Sequence, residues 1–229
     1  YIGYDELNTQ NQWFYVKNPR DPAHFNWMEL TNYYDYTNIS HQYDTTVLLN
    51  DFYNWEELED YPNNLPTLLE VGYWPASFIK WYGAKAFTLF YDIKLPSEAQ
   101  WEYAAKGSAG FIYSTSNGNV NGDGTSANWN YLEGNPSRGH VLNVKINEPN
   151  PYELYNMGGN VWEWIEDWYD AEFYNNSDNS TDPVNTEYSG LKIRRGGSWN
   201  YHQVPLKSSA RAEDEQFKGN DHFGFRIAK

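Results

Sequence analysis

No thiolate can carry chemistry in this 229-residue sequence, because it contains no cysteine. Disulfides, thiolate metal sites and cysteine nucleophiles are excluded together. His202 and His222 fall in one C-terminal stretch with Glu213, Asp214, Glu215 and Asp221. Two imidazoles and a carboxylate would suit non-haem iron, although the spacing fits no compact ligand motif and surface histidines beside acids are common. Asn117, Asn119 and Asn121, followed by Gly122 and Asp123, place side-chain oxygens at alternate positions before a glycine, like the first half of an EF-hand loop. The position that should carry the bidentate acid is Asn128, and a hairpin turn explains the Asn-Gly pairs more simply. Ser198 has no base beside it in the sequence, and a lone serine is a poor nucleophile. His24, His41 and His140 fall in no pattern.

Aromatic residues make up 19% of the chain, with 11 Trp and 21 Tyr, while charged residues are only 21%. That balance describes a core built largely from rings under a neutral-polar surface, and it argues against disorder. The net charge of −15 disfavours nucleic acid and anionic membranes, which call for clustered Lys and Arg. It is compatible with cation binding. No apolar run approaches the ~18 residues of a spanning helix. The chain opens at Tyr1 with neither Met nor a leader's basic and apolar regions, which points to a processed form or a fragment.

Two segments are predicted to be helical. Ser77 can cap a helix over residues 77–91, with Ile79, Tyr82, Ala86, Phe87 and Phe90 on one face. Ser97 and Gln100 have capping-box spacing for a second helix, with Trp101, Ala104 and Ala105 inward and Gly107 at its end. A shorter helix is expected between Glu6 and Val16, before Pro19 and Pro22. Residues 191–195 and 223–228 read as strands, and residues 108–150 as loop. Sequons at Asn38, Asn175 and Asn179 are what chance gives in so Asn-rich a chain. The fold class expected is α+β, loop-rich, with small twisted sheets and two main helices.

Three segments carry a family resemblance. The first runs from Leu95 through Ser97-Glu98-Ala99-Gln100-Trp101-Glu102-Tyr103 to Gly107. The second holds Asn156-Met157-Gly158-Gly159-Asn160-Val161-Trp162-Glu163-Trp164, continuing to Asp167-Trp168-Tyr169. The third is Arg194-Arg195-Gly196-Gly197-Ser198-Trp199-Asn200, closed by Phe223-Gly224-Phe225-Arg226. In this order they resemble the signatures of the formylglycine-generating enzyme (sulfatase-modifying factor) family. The resemblance covers residues 72–229 well, leaves 17–70 as a divergent insertion in one domain of residues 1–229, and suggests that the family's N-terminal strand is missing. It implies a variant of the C-type-lectin fold in which Gly158 and Gly159 turn the backbone before a Trp162–Trp164 strand, and Trp101, Trp162, Trp164, Trp168 and Trp199 fill the core.

The resemblance also implies sites. A calcium ion would be held by the Asn156 and Glu163 side chains and by the Gly159 and Val161 carbonyls, a donor set that suits a hard cation. A second calcium site would begin at Asn128 and Trp129, but its acidic ligand has no clear counterpart in the short, basic stretch 136–141. The family's copper-binding cysteines correspond to positions near Tyr201 and Leu206, so no copper is expected and formylglycine formation is excluded. Ser198, Trp199, Asn200, Tyr201, His202, Gln203 and Arg211 would line the family's cleft as a ligand pocket, with Trp199 buried and Tyr201, His202 and Arg211 exposed.

The functional expectation is a noncatalytic, calcium-stabilised ligand-binding or assembly module of an extracytoplasmic bacterial protein, with an unidentified ligand or protein partner. One form of this is a domain of a larger surface or secretion assembly, contacting its partners through 17–70. The rival is an oxidoreductase of the same superfamily that uses a non-thiol site in maturing a secreted peptide or protein.

Overall fold

The computed structural model describes residues 2–4, 14–16, 73–121, 126–129, 141–175 and 181–229. The whole of the expected 17–70 insertion, the sequons at Asn38 and Asn179, and Gly122 and Asp123 lie outside those residues. Among the described residues the architecture is α+β, with two helices packed on a small mixed sheet and long loops between the elements. Among the described residues no helix is long and apolar enough to cross a membrane.

At the N-terminus, β1 (Ile2–Tyr4) pairs antiparallel with β2 (Phe14–Val16), Gly3 lying opposite Tyr15. The helix expected to reach Val16 therefore does not cover residues 14–16. Two aromatics and a β-branched residue in succession favour strand geometry there.

Helix α1 spans Trp81–Phe90 and starts later than expected, after Lys80 and without a side-chain cap. Ser77 is not the N-cap, and the next backbone donors are engaged elsewhere: Phe78 N–H bonds Asn220 O at 2.8 Å and Ile79 N–H bonds Phe223 O at 3.2 Å. The buried face is Trp81, Ala84 and Thr88, spaced three and four apart, with Ala86. Phe87 and Phe90, expected inside, are exposed. The small residues let α1 approach the strand of residues 162–168 closely, and Trp81 Nε1 donates to Ile165 O at 2.8 Å.

Helix α2 (Glu98–Lys106) forms as the spacing predicts. The Ser97 hydroxyl and the Gln100 amide each satisfy the other's backbone N–H, both at 3.1 Å, and Gly107 ends the helix at φ 61°. Trp101 and Ala105 are buried.

The four-stranded sheet has the order β5-β4-β3-β6, with β3 (Trp162–Trp168), β4 (Lys192–Arg195), β5 (Ala212–Asp214) and β6 (Phe223–Phe225). β3 runs antiparallel to β4 and parallel to β6, which brings Glu163 opposite both Arg195 and Gly224. The third segment's strand stops at Phe225; residue 228 makes only an isolated bridge to Lys94.

β3 is buried on both faces over residues 162–165, so its pattern is a continuous run instead of an alternation. Trp164 joins Trp81, Ala84, Leu95, Trp162 and Phe223 on one side, while Trp101, Met157, Ile165 and Ile193 fill the other. Trp168 and Trp199, expected in the core, are only partly buried. Trp168 instead helps cover Lys192, whose Nζ lies 4.0 Å from the Trp81 ring, 3.9 Å from the Trp168 ring, and 2.6 Å from Glu166 O.

Candidate functional site

The loop leading into β3 is held in an uncommon backbone path. Asn156, Gly159 and Asn160 have φ of 47°, 86° and 67°, a left-handed region that Asn and Gly tolerate best. A Cβ on Gly159 would lie 2.4 Å from Asn128 O, so this position needs glycine for space as well as for φ. Gly158 needs no positive φ; its Cβ would press on Leu206 O at 3.2 Å. Asn160 fixes the path, accepting from Leu142 N at 2.8 Å and from Asn128 Nδ2 at 3.2 Å while donating to Leu142 O at 3.0 Å.

Glu163, in the next turn of chain, is an acid between two tryptophans and only 5% exposed. A buried carboxylate must be compensated, and three donors do this. Arg226 forks onto it, Nε to Oε2 at 2.5 Å and Nη2 to Oε1 at 2.7 Å, and Trp101 Nε1 donates to Oε2 at 2.6 Å. A carboxylate offers about four lone-pair sites, so Oε1 retains one. Asn156 Oδ1 accepts a single bond, from Asn147 Nδ2 at 2.8 Å. Among the described residues no donor reaches the Gly159 carbonyl. Asn156, Val161 and Glu163 line a cavity of about 300 Å³, with Arg226 on the same wall. The Asn156 and Glu163 oxygens are of the kind a hard cation takes, with water completing its shell, whereas Gly159 is not on the cavity lining. The Arg226 charge beside Glu163 marks such a site as a weak one.

The chain matches the family model described as the sulfatase-modifying factor enzyme 1-like domain over residues 19–229. It belongs to this family. The formylglycine-generating enzyme of Streptomyces coelicolor is 32% identical over 164 residues, covering 67% of this chain and 52% of that protein. The serine/threonine-protein kinase pkn1 of Chlamydia pneumoniae is 31% identical over 165 residues, 71% of this chain and 25% of the kinase. The chain thus spans between a quarter and about half of the length of these relatives. In structure it is similar to Treponema denticola variable protein 1, with a TM-score of 0.57 and 22% identity, covering 73% of this chain and 75% of that one.

In this sulfatase-modifying-factor-like chain Tyr201 and Leu206, near which the resemblance would put the family's thiolates, are packing residues. Tyr201 lies edge-on to Trp162 at 5.4 Å, and Leu206 is fully buried against Ala127 and Trp129. With no cysteine anywhere in the sequence, thiolate-based copper chemistry has no ligands here.

The expected ligand pocket is only partly assembled. Ser198 is fully buried and donates to Asn200 Oδ1 at 2.8 Å, and Asn200 Nδ2 lies 3.3 Å from His222 Nδ1. His202 is exposed, as expected; Tyr201 and Trp199 are intermediate. The expectation of a buried Trp199 is therefore corrected: Gly196 and Gly197 take the chain out of the sheet before it. Arg211 is not available to a ligand as expected, because its Nε and Nη2 fork onto buried Glu98 at 2.8 and 2.9 Å and its Nη1 donates to Asp170 O at 3.0 Å.

Asn128 and Trp129 are both buried. Asn128 braces the Gly159–Asn160 turn through its own carbonyl, which accepts from Asn160 N at 2.8 Å, and Trp129 packs on Leu206. Among the described residues no three His, Asp or Glu side chains converge; His222 is tied to Asp221 at 2.5 Å, and His202 Nδ1 lies 3.3 Å from Val204 N. The Asn117 side chain accepts from Asn119 N at 3.0 Å, an Asx turn of the kind that starts a hairpin.

Arg226 and Lys145 were missed as site residues. The signal for Arg226 was present: an acid inside Trp162-Glu163-Trp164 needs a cation, and Phe223-Gly224-Phe225-Arg226 supplies one from the paired strand. Lys145 left none, since its place on the cavity wall depends on how the 141–147 loop folds back.

Proposed function

We propose that this chain is a noncatalytic, calcium-stabilised ligand-binding or assembly module of an extracytoplasmic bacterial protein. The observation that carries this reading is the cavity beside Glu163, where spare oxygen lone pairs meet an open volume and, among the described residues, no histidine cluster accompanies them. Its charge count supports a dissociation constant on the order of 10⁻⁴–10⁻³ M, the class of extracellular calcium modules, which need no tighter grip where calcium is abundant. The same argument supports a place outside the cytoplasm. Titration of metal-free protein with CaCl₂, read by calorimetry and thermal melting, tests it. Binding in that range, abolished by Asn156→Ala, is expected. Copper or iron retained through dialysis, with no response to calcium, would sink the proposal in favour of an oxidoreductase.

A further inference from the structure

The cavity beside Glu163 is far larger than a cation with a few waters requires, since one water's share of volume is about 30 Å³ against a cavity of about 300 Å³. Its apolar wall comes from Pro75, Val144, Leu154 and Phe225. Glu163 and Arg226 on its lining are paired with each other, but the rest of its charge is unspent. Lys145 Nζ stands 5.8 Å over the Tyr155 ring, and among the described residues it makes no ion pair. Arg226 uses Nε and Nη2 on Glu163 and the Tyr155 carbonyl, leaving Nη1. Glu153, on the same lining, likewise has no cationic partner among the described residues.

Lys145 and Glu153 therefore face one cavity without neutralising each other. Glu153 is also held at φ 62°, a left-handed backbone that is unfavourable for a non-glycine residue. Strain of this kind is characteristic of binding sites. An anion alone would leave Glu153 unpaired, and an amine alone would leave Lys145 unpaired and Arg226 Nη1 unused. A ligand carrying both charges and an apolar branch satisfies all three surfaces.

We infer that the cavity binds a free α-amino acid with an apolar side chain, its carboxylate towards Lys145 and Arg226 Nη1, its ammonium towards Glu153, and its side chain on the Leu154–Phe225 wall. This deepens the proposed function by naming the ligand class, and it rests on that reading of the chain as a binding module.

Calorimetric titration of leucine, valine and phenylalanine, each with and without calcium, tests it. The controls are 4-methylpentanoate, which is leucine without its amine, and 3-methylbutylamine, which is leucine without its carboxylate. Binding of an amino acid is expected, with each truncated analogue weaker by roughly tenfold or more, the value of a charged hydrogen bond. Lys145→Glu should lose a similar factor for leucine. Glu153→Gln should bring leucine and 4-methylpentanoate to near equality. Both substitutions are at exposed positions and leave the core intact. Equal affinity for leucine and both analogues, or leucine affinity unchanged in both variants, would overturn the inference. So would failure of every amino acid to bind while calcium still does, in which case the calcium reading survives alone. Failure of amino acids and calcium together would remove both.

Discussion

Glu98 and Glu163 are both nearly buried acids, at 1% and 5% exposure, and each accepts a two-pronged arginine. At the start of α2, Arg211 forks onto Glu98, and Arg195 adds a second cation 3.5 Å away. Arg195 is itself fully enclosed, donating to Ser208 O, Ala210 O and Glu102. In β3, Arg226 forks onto Glu163, but it borders a cavity and keeps Nη1 unused. Trp101 links the two sites, its ring 5.1 Å from the Arg195 guanidinium and its Nε1 on Glu163. The two forking arginines are about equally exposed, at 22% and 24%, so the same pairing chemistry serves as a rivet where a second, fully enclosed arginine backs the acid and as the edge of a site where the acid borders a cavity. The surroundings of the acid, more than the residue types, decide which.

The largest difference should appear when each pair is broken. Glu98→Ala strands two guanidiniums, one of them in the core, and breaking a buried pair in this way costs about 3–5 kcal/mol. Urea unfolding should register that loss, with no gain in ligand affinity. If the cost falls below about 1 kcal/mol, the closed site is not a rivet.

The closed site should also carry the pH dependence. Asp167 lies beside it, accepting from Glu98 N at 2.9 Å and Asn185 N at 2.8 Å. Burial pushes its carboxyl up from 3.8 to about 6, against those two backbone bonds. A carboxyl raised in the folded state stabilises the fold fully below its unfolded value, and that contribution is lost as pH rises through about 6. A shift of about two units corresponds to about 3 kcal/mol. Wild type should therefore gain about that much on Asp167→Asn between about pH 7 and pH 4, measured by urea midpoints at each pH. Lys192 gives the opposite limb: burial lowers it to about 8, so its contribution is full above about 10.5 and lost as pH falls through about 8. A flat difference between wild type and Asp167→Asn would show that water reaches the closed cluster, and the contrast with the open site would disappear.

At the open site, Arg226→Ala should cost less, about 1–3 kcal/mol, because cavity water can solvate Glu163 once the fork is gone. It should also tighten calcium, since the cradle then keeps its full negative charge. Calorimetry on the variant checks this, and weaker calcium binding would mean that Arg226 positions Glu163 instead of competing with the metal.

How much of this was legible in the sequence depended on distance along the chain. The Ser97–Gln100 box and the Gly107 stop are local chemistry, and both formed as read. The start of α1 was misread because Phe78 and Ile79 are claimed by Asn220 and Phe223, more than a hundred residues away, which no local pattern reports. Arg211 shows the same limit at a site. From the motifs it belonged to the pocket after Gly197, but its partner is Glu98, brought near only by packing α2 against the sheet. The loop from Asn156 to Glu163 was readable because Asn, Gly and an acid among tryptophans each impose a local demand. The cavity it borders was not, because the opposite wall comes from 144–145 and 153–154, where the residue types are ordinary and only the fold makes them neighbours.

The smallest expected effect separates the two sites most sharply. Among the described residues, Glu153 is the one cavity-lining carboxylate in a left-handed backbone without an ion-pair partner, whereas Glu98 sits unstrained in a helix. Glu153→Gly relieves that backbone, and the gain is partly offset by the greater freedom of glycine in the unfolded chain, leaving a net stabilisation of about 0.5 kcal/mol. A rise in urea midpoint at unchanged slope would register it. The same variant should lose the discrimination between leucine and 4-methylpentanoate, because the acid facing the ammonium is gone. Stability gained together with selectivity lost is the mark of strain kept for binding. If stability falls instead, the Glu153 side chain supports the fold, and the open site is built on the same terms as the closed one.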